Sequence, residues 1–142
     1  MSDPYGFVLS EGASILVVDD DPIQSEFSCV YLGPATVVTA ASAEEGLAIL
    51  ATQRFDIALI DVEMPGMDGL TMVEHLRRDE RLRSMPVMMI TGREDMASID
   101  RAYAVGATSF MPKPVNWRLL AHQIKFLLRA QRALDGGSGA AA

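Results

Sequence analysis

Five short runs in this chain are apolar almost from end to end: "SILVV" (14–18), "TVVTA" (36–40), "IALI" (57–60), "VMMIT" (87–91) and "TSFM" (108–111). A strand with one wet face alternates apolar and polar residues. A continuous aliphatic run has to be covered on both sides, the condition met in parallel sheets. Parallel neighbours cannot be joined by a tight hairpin, so each pair needs a long crossover, usually a helix. The intervening segments have the spacing for that. Ile23, Phe27, Val30 and Tyr31 form one helical stripe, and Leu47, Leu50 and Ala51 a second. Leu70, Val73 and Leu76 form a third, Met96, Ile99, Ala102 and Tyr103 a fourth, and Leu120, Ile124, Leu127 and Leu128 a fifth.

The local punctuation agrees. Pro22 suits a first helical turn, and Gly33 can end that helix. Ser42 with Glu45 reads as a capping box, Asp68 as an N-cap and Gly106 as a C-terminal stop. The chain therefore predicts strand then helix, five times over: an α/β fold with a doubly wound, five-stranded parallel sheet and five helices. Right-handed crossovers gather the strand C-termini on one edge, where open sheets bind ligands. The flavodoxin-like order 2-1-3-4-5 suits the count, although the sequence does not dictate strand order. A length of 142 residues is that of one domain, and 49% hydrophobic residues supply its core. Residues 1–13 are expected to be an N-terminal extension and 14–134 the domain, with 135–142, "DGGSGAAA", a flexible C-terminal tail or linker remnant.

Charge narrows the function. A net charge of -7 disfavours direct nucleic-acid binding, which relies on Lys and Arg against phosphates, and suits a metal cation or a basic partner. Cys29 stands alone, so no internal disulfide can form, and it reads as a helix residue in a reducing compartment. "FVL" (7–9) is too short for a signal peptide or a membrane span, and a cytoplasmic protein is expected.

The strand ends carry the chemistry. The first strand runs into Asp19, Asp20 and Asp21, and the third ends at Asp61, followed by "VEMPGMDG". The fourth ends at Thr91, and the fifth runs into Lys113 and Pro114. Adjacent carboxylates make one another harder to ionise. Asn, Ser or Gly would make the same turn, so three aspartates there point to a use for negative charge. If the edges coincide, carboxylates, a hydroxyl and an ammonium meet at one spot. That set suits phosphoryl transfer to a carboxylate: clustered acids hold Mg²⁺, one carboxylate attacks phosphorus, and a lysine offsets the phosphoryl charge.

Taken in order, "ILVVDDDP", "DIALIDVEMPGMDG", "VMMITG" and "GATSFMPKP" resemble the receiver domain of two-component response regulators, from about Ser14 to Leu134. The resemblance implies that Asp61 becomes an aspartyl phosphate, taking its phosphoryl group from a sensor histidine kinase or a histidine phosphotransfer protein. It implies that Asp19, Asp20, Asp61 and the backbone carbonyl of Glu63 hold Mg²⁺ (or Mn²⁺). Thr91 matches the switch hydroxyl, Phe110 the switch aromatic and Lys113 the phosphate-binding lysine, and the Lys113–Pro114 bond is expected to be cis. Glu63 and Arg93, two residues past Asp61 and Thr91, are expected to tune the lifetime of the phosphoprotein. A receiver of this kind is not an enzyme in the usual sense, catalysing only its own phosphorylation and dephosphorylation. Its signal would pass through the fourth helix, fifth strand and fifth helix to an output domain or protein, with homodimerisation there as a further option. "KPVNWRLLAHQIKFLLRA" resembles the fifth helix of receivers that precede cyclic-di-GMP-metabolising domains, so the chain is either a stand-alone receiver or the N-terminal fragment of a larger regulator.

Two rival readings exist. "DDD" contains an Asp-x-Asp pair, as in a haloacid-dehalogenase-type Mg²⁺ phosphatase with Asp19 as nucleophile and Asp21 as acid–base. The order of Thr91 and Lys113, the short chain and the absence of a cap domain argue against it. The other rival is a phosphorylation-independent adaptor on the same fold. Elsewhere, His75 and His122 read as exposed helix residues, and Met85, Met88 and Met89 as core filling. Trp117, Leu119 and Phe126 add more apolar surface to the fifth helix than one buried face can hold, which leaves a partner surface open.

Overall fold

The computed structural model describes residues 12–92 and 95–141, with side chains as far as Asp135. The chain alternates β1 (Ser14–Val18), α1 (Pro22–Tyr31), β2 (Thr36–Ala40), α2 (Ala43–Leu50), β3 (Ile57–Asp61), α3 (Gly69–Arg78), β4 (Val87–Thr91), α4 (Met96–Ala104), β5 (Ser109–Pro112) and α5 (Trp117–Ala141). The strands form one sheet in the order β2-β1-β3-β4-β5, and each neighbouring pair is parallel. This is the doubly wound, flavodoxin-like arrangement the apolar strands call for. Val18 pairs with both Ala40 and Ile60, Asp61 with Ile90, and Thr91 with Pro112, so the C-terminal strand ends lie level along one edge.

The sheet separates two cores. On one face Leu16, Val18, Ala58, Ile60, Val87 and Met89 pack with α2, α3 and α4 through Leu50, Leu76 and Ala102. On the other, Ile15, Val17, Leu59 and Met88 pack with Leu32, Leu120 and Ile124 beside α1 and α5. Full burial of both sides of β3 and β4 explains why those runs carry no alternation. Met88 and Met89 are fully buried, one on each face, and Met85 is buried in the same core as Met89.

The caps follow from short polar side chains. Asp21 Oδ1 accepts from the Ile23 amide at 2.9 Å, Ser42 Oγ from Glu45 at 3.1 Å, and Asp68 Oδ1 from Thr71 at 2.8 Å. Glu45 Oε2 accepts from the Ala41 amide at 3.1 Å, one residue before the N-cap amide that a capping box would use.

The structure departs from the helical stripes in two places. Ile23, Phe27, Val30 and Tyr31 lie on the solvent side of α1, with Val30 70% exposed, and the helix turns the small Ser28 to the sheet instead. Met96 and Tyr103 likewise face outward from α4, which buries Ala102. In both helices a small residue faces the sheet and permits close approach: α1 leaves its whole apolar stripe outside, while α4 buries the stripe's Ala102 and leaves Met96 and Tyr103 outside. α5 also runs on through the stretch expected as a tail, as far as Ala141. Residues 1–11 of the expected N-terminal extension lie outside the described residues.

Arg77, at the end of α3, ties down the opposite edge of the sheet. Its guanidinium donates to the carbonyls of Met85 at 2.8 Å, Gly106 at 2.9 Å and Arg83 at 3.1 Å. Burial lowers its pKa, and its hydrogen-bond acceptors are neutral oxygens. Among the described residues, no helix is long and apolar enough to cross a membrane.

Candidate functional site

At the end of β1 the three aspartates part company. The Asp19 amide donates to the Ala40 carbonyl at 3.0 Å, extending the β1–β2 ladder by one residue and turning the Asp19 side chain inward, where it is buried. Its Oδ1 accepts from the Asp21 amide at 2.9 Å, which bends the chain off the sheet. Asp20 is left exposed, and Asp21 is spent on the α1 cap. One run thus yields a buried acid, an acid at the mouth and a helix cap.

Asp61 closes β3 and is only 6% exposed. Its Oδ1 accepts from the Glu63 amide at 3.2 Å and its Oδ2 from Lys113 Nζ at 3.1 Å. Lys113 Nζ also reaches Asp19 Oδ2 at 3.4 Å. The lysine is positioned by its own backbone: its amide donates to the Thr91 carbonyl at 2.7 Å, and the Lys113–Pro114 bond is cis. Asp19, Asp20 and Asp61 each present a carboxylate oxygen within 4.8 Å of the others. Residues far apart in sequence therefore meet because β1, β3 and β5 end on the same rim.

The electrostatics follow from this crowding. Burial pushes the Asp61 carboxyl above its usual 3.8 and the Asp19 charge adds to the effect, while Lys113 and the Glu63 amide pull the other way without prevailing. Burial also opposes the Lys113 ammonium, but the hydrogen bond and charge of Asp61, aided by Asp19, outweigh it and hold its pKa above 10.5. The two shifts look contradictory for one ion pair. They differ because Lys113 faces two carboxylates and is less buried than Asp61, which has a second acid beside it. Three carboxylates against one ammonium leave an uncompensated negative site of hard oxygens, with two acids buried and one at the mouth. That donor set fits a Mg²⁺-sized cation that retains some of its waters.

The remaining candidates are placed as follows. Thr91 is buried at the end of β4, one residue past the partner of Asp61. Phe110 is half-buried on β5 against the α2–α4 core. Glu63 is exposed in the loop after β3. Arg93 lies outside the described residues. His75 and His122 are exposed on their helices and stand apart from the acid cluster.

Sequence reasoning missed the residues that shape the β3–α3 loop. A Cβ on Gly69 would collide with the Asp61 carbonyl oxygen, so α3 can start against the end of β3 only with glycine there. Gly66 has φ +77° and turns the loop, whose Met67 amide donates to Glu44 Oε2 at 3.3 Å from α2. The glycines of "MPGMDG" were the available signal. Glu44 had none, because its partner is brought in by the fold. Trp117, expected only as part of the surplus apolar surface of the fifth helix, is half-buried: it stacks on Tyr31, with centroids 5.4 Å apart, and lines a cavity of about 20 Å³ beside Asp19 and Asp61.

Residues 15–125 match the family described as response regulator receiver domain. The chain belongs to that family. As a receiver, it is 39% identical over 137 residues to the transcriptional regulatory protein AruR of Pseudomonas aeruginosa, covering 89% of this chain and 54% of that protein. It is 37% identical over 117 residues to AfsQ1 of Streptomyces coelicolor, covering 81% of this chain and 50% of that protein. The receiver thus spans about half the length of the curated relatives it matches. Among solved structures, a CheY-like receiver from Methanospirillum hungatei superposes with a TM-score of 0.80 at 32% identity, over 85% of this chain and 97% of that one. CheY4 of Vibrio cholerae superposes with a TM-score of 0.78 at 31% identity, over 81% and 98%. These relatives are response regulators and receivers rather than haloacid-dehalogenase phosphatases, and Asp21, committed to its cap, is not set beside Asp19 as an acid–base.

Proposed function

We propose that this receiver is phosphorylated on Asp61 by a phosphohistidine of a sensor histidine kinase or histidine phosphotransfer protein. One observation carries the reading: Asp61 and Asp19 are both buried and share the Lys113 ammonium, with Asp20 at the mouth. An Asp61 oxygen attacks phosphorus, the phosphorus–nitrogen bond breaks, the imidazole leaves, and an acyl phosphate remains on Asp61. Asp19, Asp20, Asp61 and the Glu63 carbonyl would hold Mg²⁺ (or Mn²⁺). Once bound, the ion supplies positive charge to the phosphoryl oxygens. Lys113 passes from its carboxylate partners to a phosphoryl oxygen, and Thr91 donates its hydroxyl to another.

Drawing Thr91 inward frees space for Phe110 to turn toward the core. The α4–β5–α5 face thereby shifts between two populated packings. The receiver acts in the cytoplasm as part of a two-component system or phosphorelay, with the domain at 14–134 and α5 running on beyond it. Its output is a further domain or a separate protein. The names of its relatives favour transcriptional control over the cyclic-di-GMP output that the α5 sequence suggests.

The test is labelling with radioactive acetyl phosphate and Mg²⁺. Wild type takes up acid-stable, base-labile label, and Asp61→Asn takes up none. Label retained by Asp61→Asn overturns the assignment. A wild-type protein that neither labels nor binds Mg²⁺ is the adaptor instead.

A further inference from the structure

The outer surface of α5 is unlike the rest of the molecule. Between Trp117 and Leu134 there are four cations and no carboxylate, although the whole chain is at -7, so the remainder carries -11. Arg118, His122, Lys125, Arg129 and Arg132 recur at alternating steps of four and three, which places them in one line along the helix. Arg118, His122, Arg129 and Arg132 are exposed and Lys125 is partly so. A second line runs beside it: Leu119 at 47% exposed and Phe126 at 65%, continued by Ala130 and Ala133. The buried side of the helix, with Leu120, Ala121 and Ile124, is already used against the sheet. Core packing therefore accounts for neither line.

We infer that this face of α5 docks an acidic amphipathic helix of a partner protein, its apolar stripe on Leu119 and Phe126 and its carboxylates on Lys125, Arg129 and Arg132. The inference rests on the reading of α5 as part of the face that signals, and it supplies the chemistry of the partner. Charge complementarity selects the occupant. A single helix touches the cationic line without approaching the acidic remainder of the chain. A bilayer or a nucleic acid is an extended polyanion, and it would confront that remainder as well. From Arg118 to Arg132 the line runs for about 21 Å, four turns, so the partner helix needs about 14 to 16 residues. Two copies of this chain joined through α5 would bring cationic lines together rather than match them.

The test uses the full 142-residue chain and a fluorescein-labelled 16-residue designed helix with a leucine stripe flanked by glutamates. A second peptide carries Gln in place of each Glu. Fluorescence anisotropy should show the Glu peptide binding at least ten-fold more tightly than the Gln peptide, with affinity falling at least ten-fold between 50 and 500 mM salt. The double variant Arg129→Glu/Arg132→Glu, and separately Phe126→Ser, should each weaken binding at least ten-fold while leaving the thermal melt and the labelling of Asp61 unchanged.

Equal affinity for the two peptides overturns the inference, as does no binding at 100 μM. Tighter binding to anionic vesicles or to a DNA 20-mer overturns it as well. So does a dimer seen by sedimentation that Arg129→Glu/Arg132→Glu disrupts. Selective binding of the Glu peptide that is indifferent to beryllofluoride and Mg²⁺, which stand in for the phosphoryl group, supports the docking face and removes only its link to phosphorylation.

Discussion

Replacing Asp61 with Asn should make the metal-free protein more stable. Asp61 lies within 4.8 Å of carboxylate oxygens of both Asp19 and Asp20, and it is opposed by the one ammonium of Lys113 at 3.1 Å. Neutralising it removes two repulsions and one attraction of similar span. At about 4 Å, one such interaction is worth roughly 1 kcal/mol in water and about 4 kcal/mol near a protein surface. Lys113 is the nearer partner and the mouth is open to solvent, so the net gain belongs at the low end, about 1 kcal/mol. For a domain of this size that is roughly 4 °C in Tm.

The folded pKa of Asp61 is raised above 3.8, so between those values the folded state binds more protons than the unfolded one. Its contribution therefore turns against folding as pH rises through that window and is regained on acidification. Lys113, raised above 10.5, contributes stability that is complete below 10.5 and is lost only as pH passes its raised value. Calorimetry in EDTA from pH 4 to 8 should show the difference between Asp61→Asn and wild type growing with pH. Added Mg²⁺ should then reverse the ranking, since a cation at ten times its Kd stabilises wild type by about 1.4 kcal/mol. A variant less stable than wild type at pH 7 in EDTA, or one that gains as much from Mg²⁺, would refute the electrostatic account.

Arg77→Met should lower the unfolding free energy by about 2 kcal/mol in urea, because charged hydrogen bonds to four carbonyls are lost together. Arg77→Lys should recover less than half of it, since an ammonium cannot fork between separate segments, and a change below about 0.5 kcal/mol would contradict the clamp. Gly69→Ala should cost about 1–3 kcal/mol through overpacking and weaken Mg²⁺ binding by moving Asp61, both measurable in one melting series; an unchanged melt means the loop yields freely. Exchanging Glu63 or Arg93 for Ser should change the rate at which radiolabel leaves Asp61, and identical decay curves would remove both from any part in its lifetime.

Much of the site could be read from residue order, because a parallel sheet sends every strand C-terminus to one edge. Once "DDD", "LID", "IT" and "PKP" were placed at strand ends, their sharing one edge followed from right-handed connections, whereas their meeting at one spot needed the strand order β2-β1-β3-β4-β5 that the structure supplies. The division of labour among Asp19, Asp20 and Asp21 was harder to read. It depends on the Asp19 amide extending the ladder to Ala40 and on the Asp21 side chain reaching Ile23.

Element order, helix caps and doubly covered strands are all legible in the residues, since these depend on periodicity and on side chains acting within a few residues of themselves. The inward face of α1 is not, and it emerges only in the packed fold. Helical spacing marked Ile23, Phe27, Val30 and Tyr31 as a stripe, yet the sheet receives Ser28 and the stripe faces water. Periodicity reports that a helix has an apolar side. How closely that helix can approach its sheet, and hence which side goes inward, depends on the width of every neighbouring side chain at once.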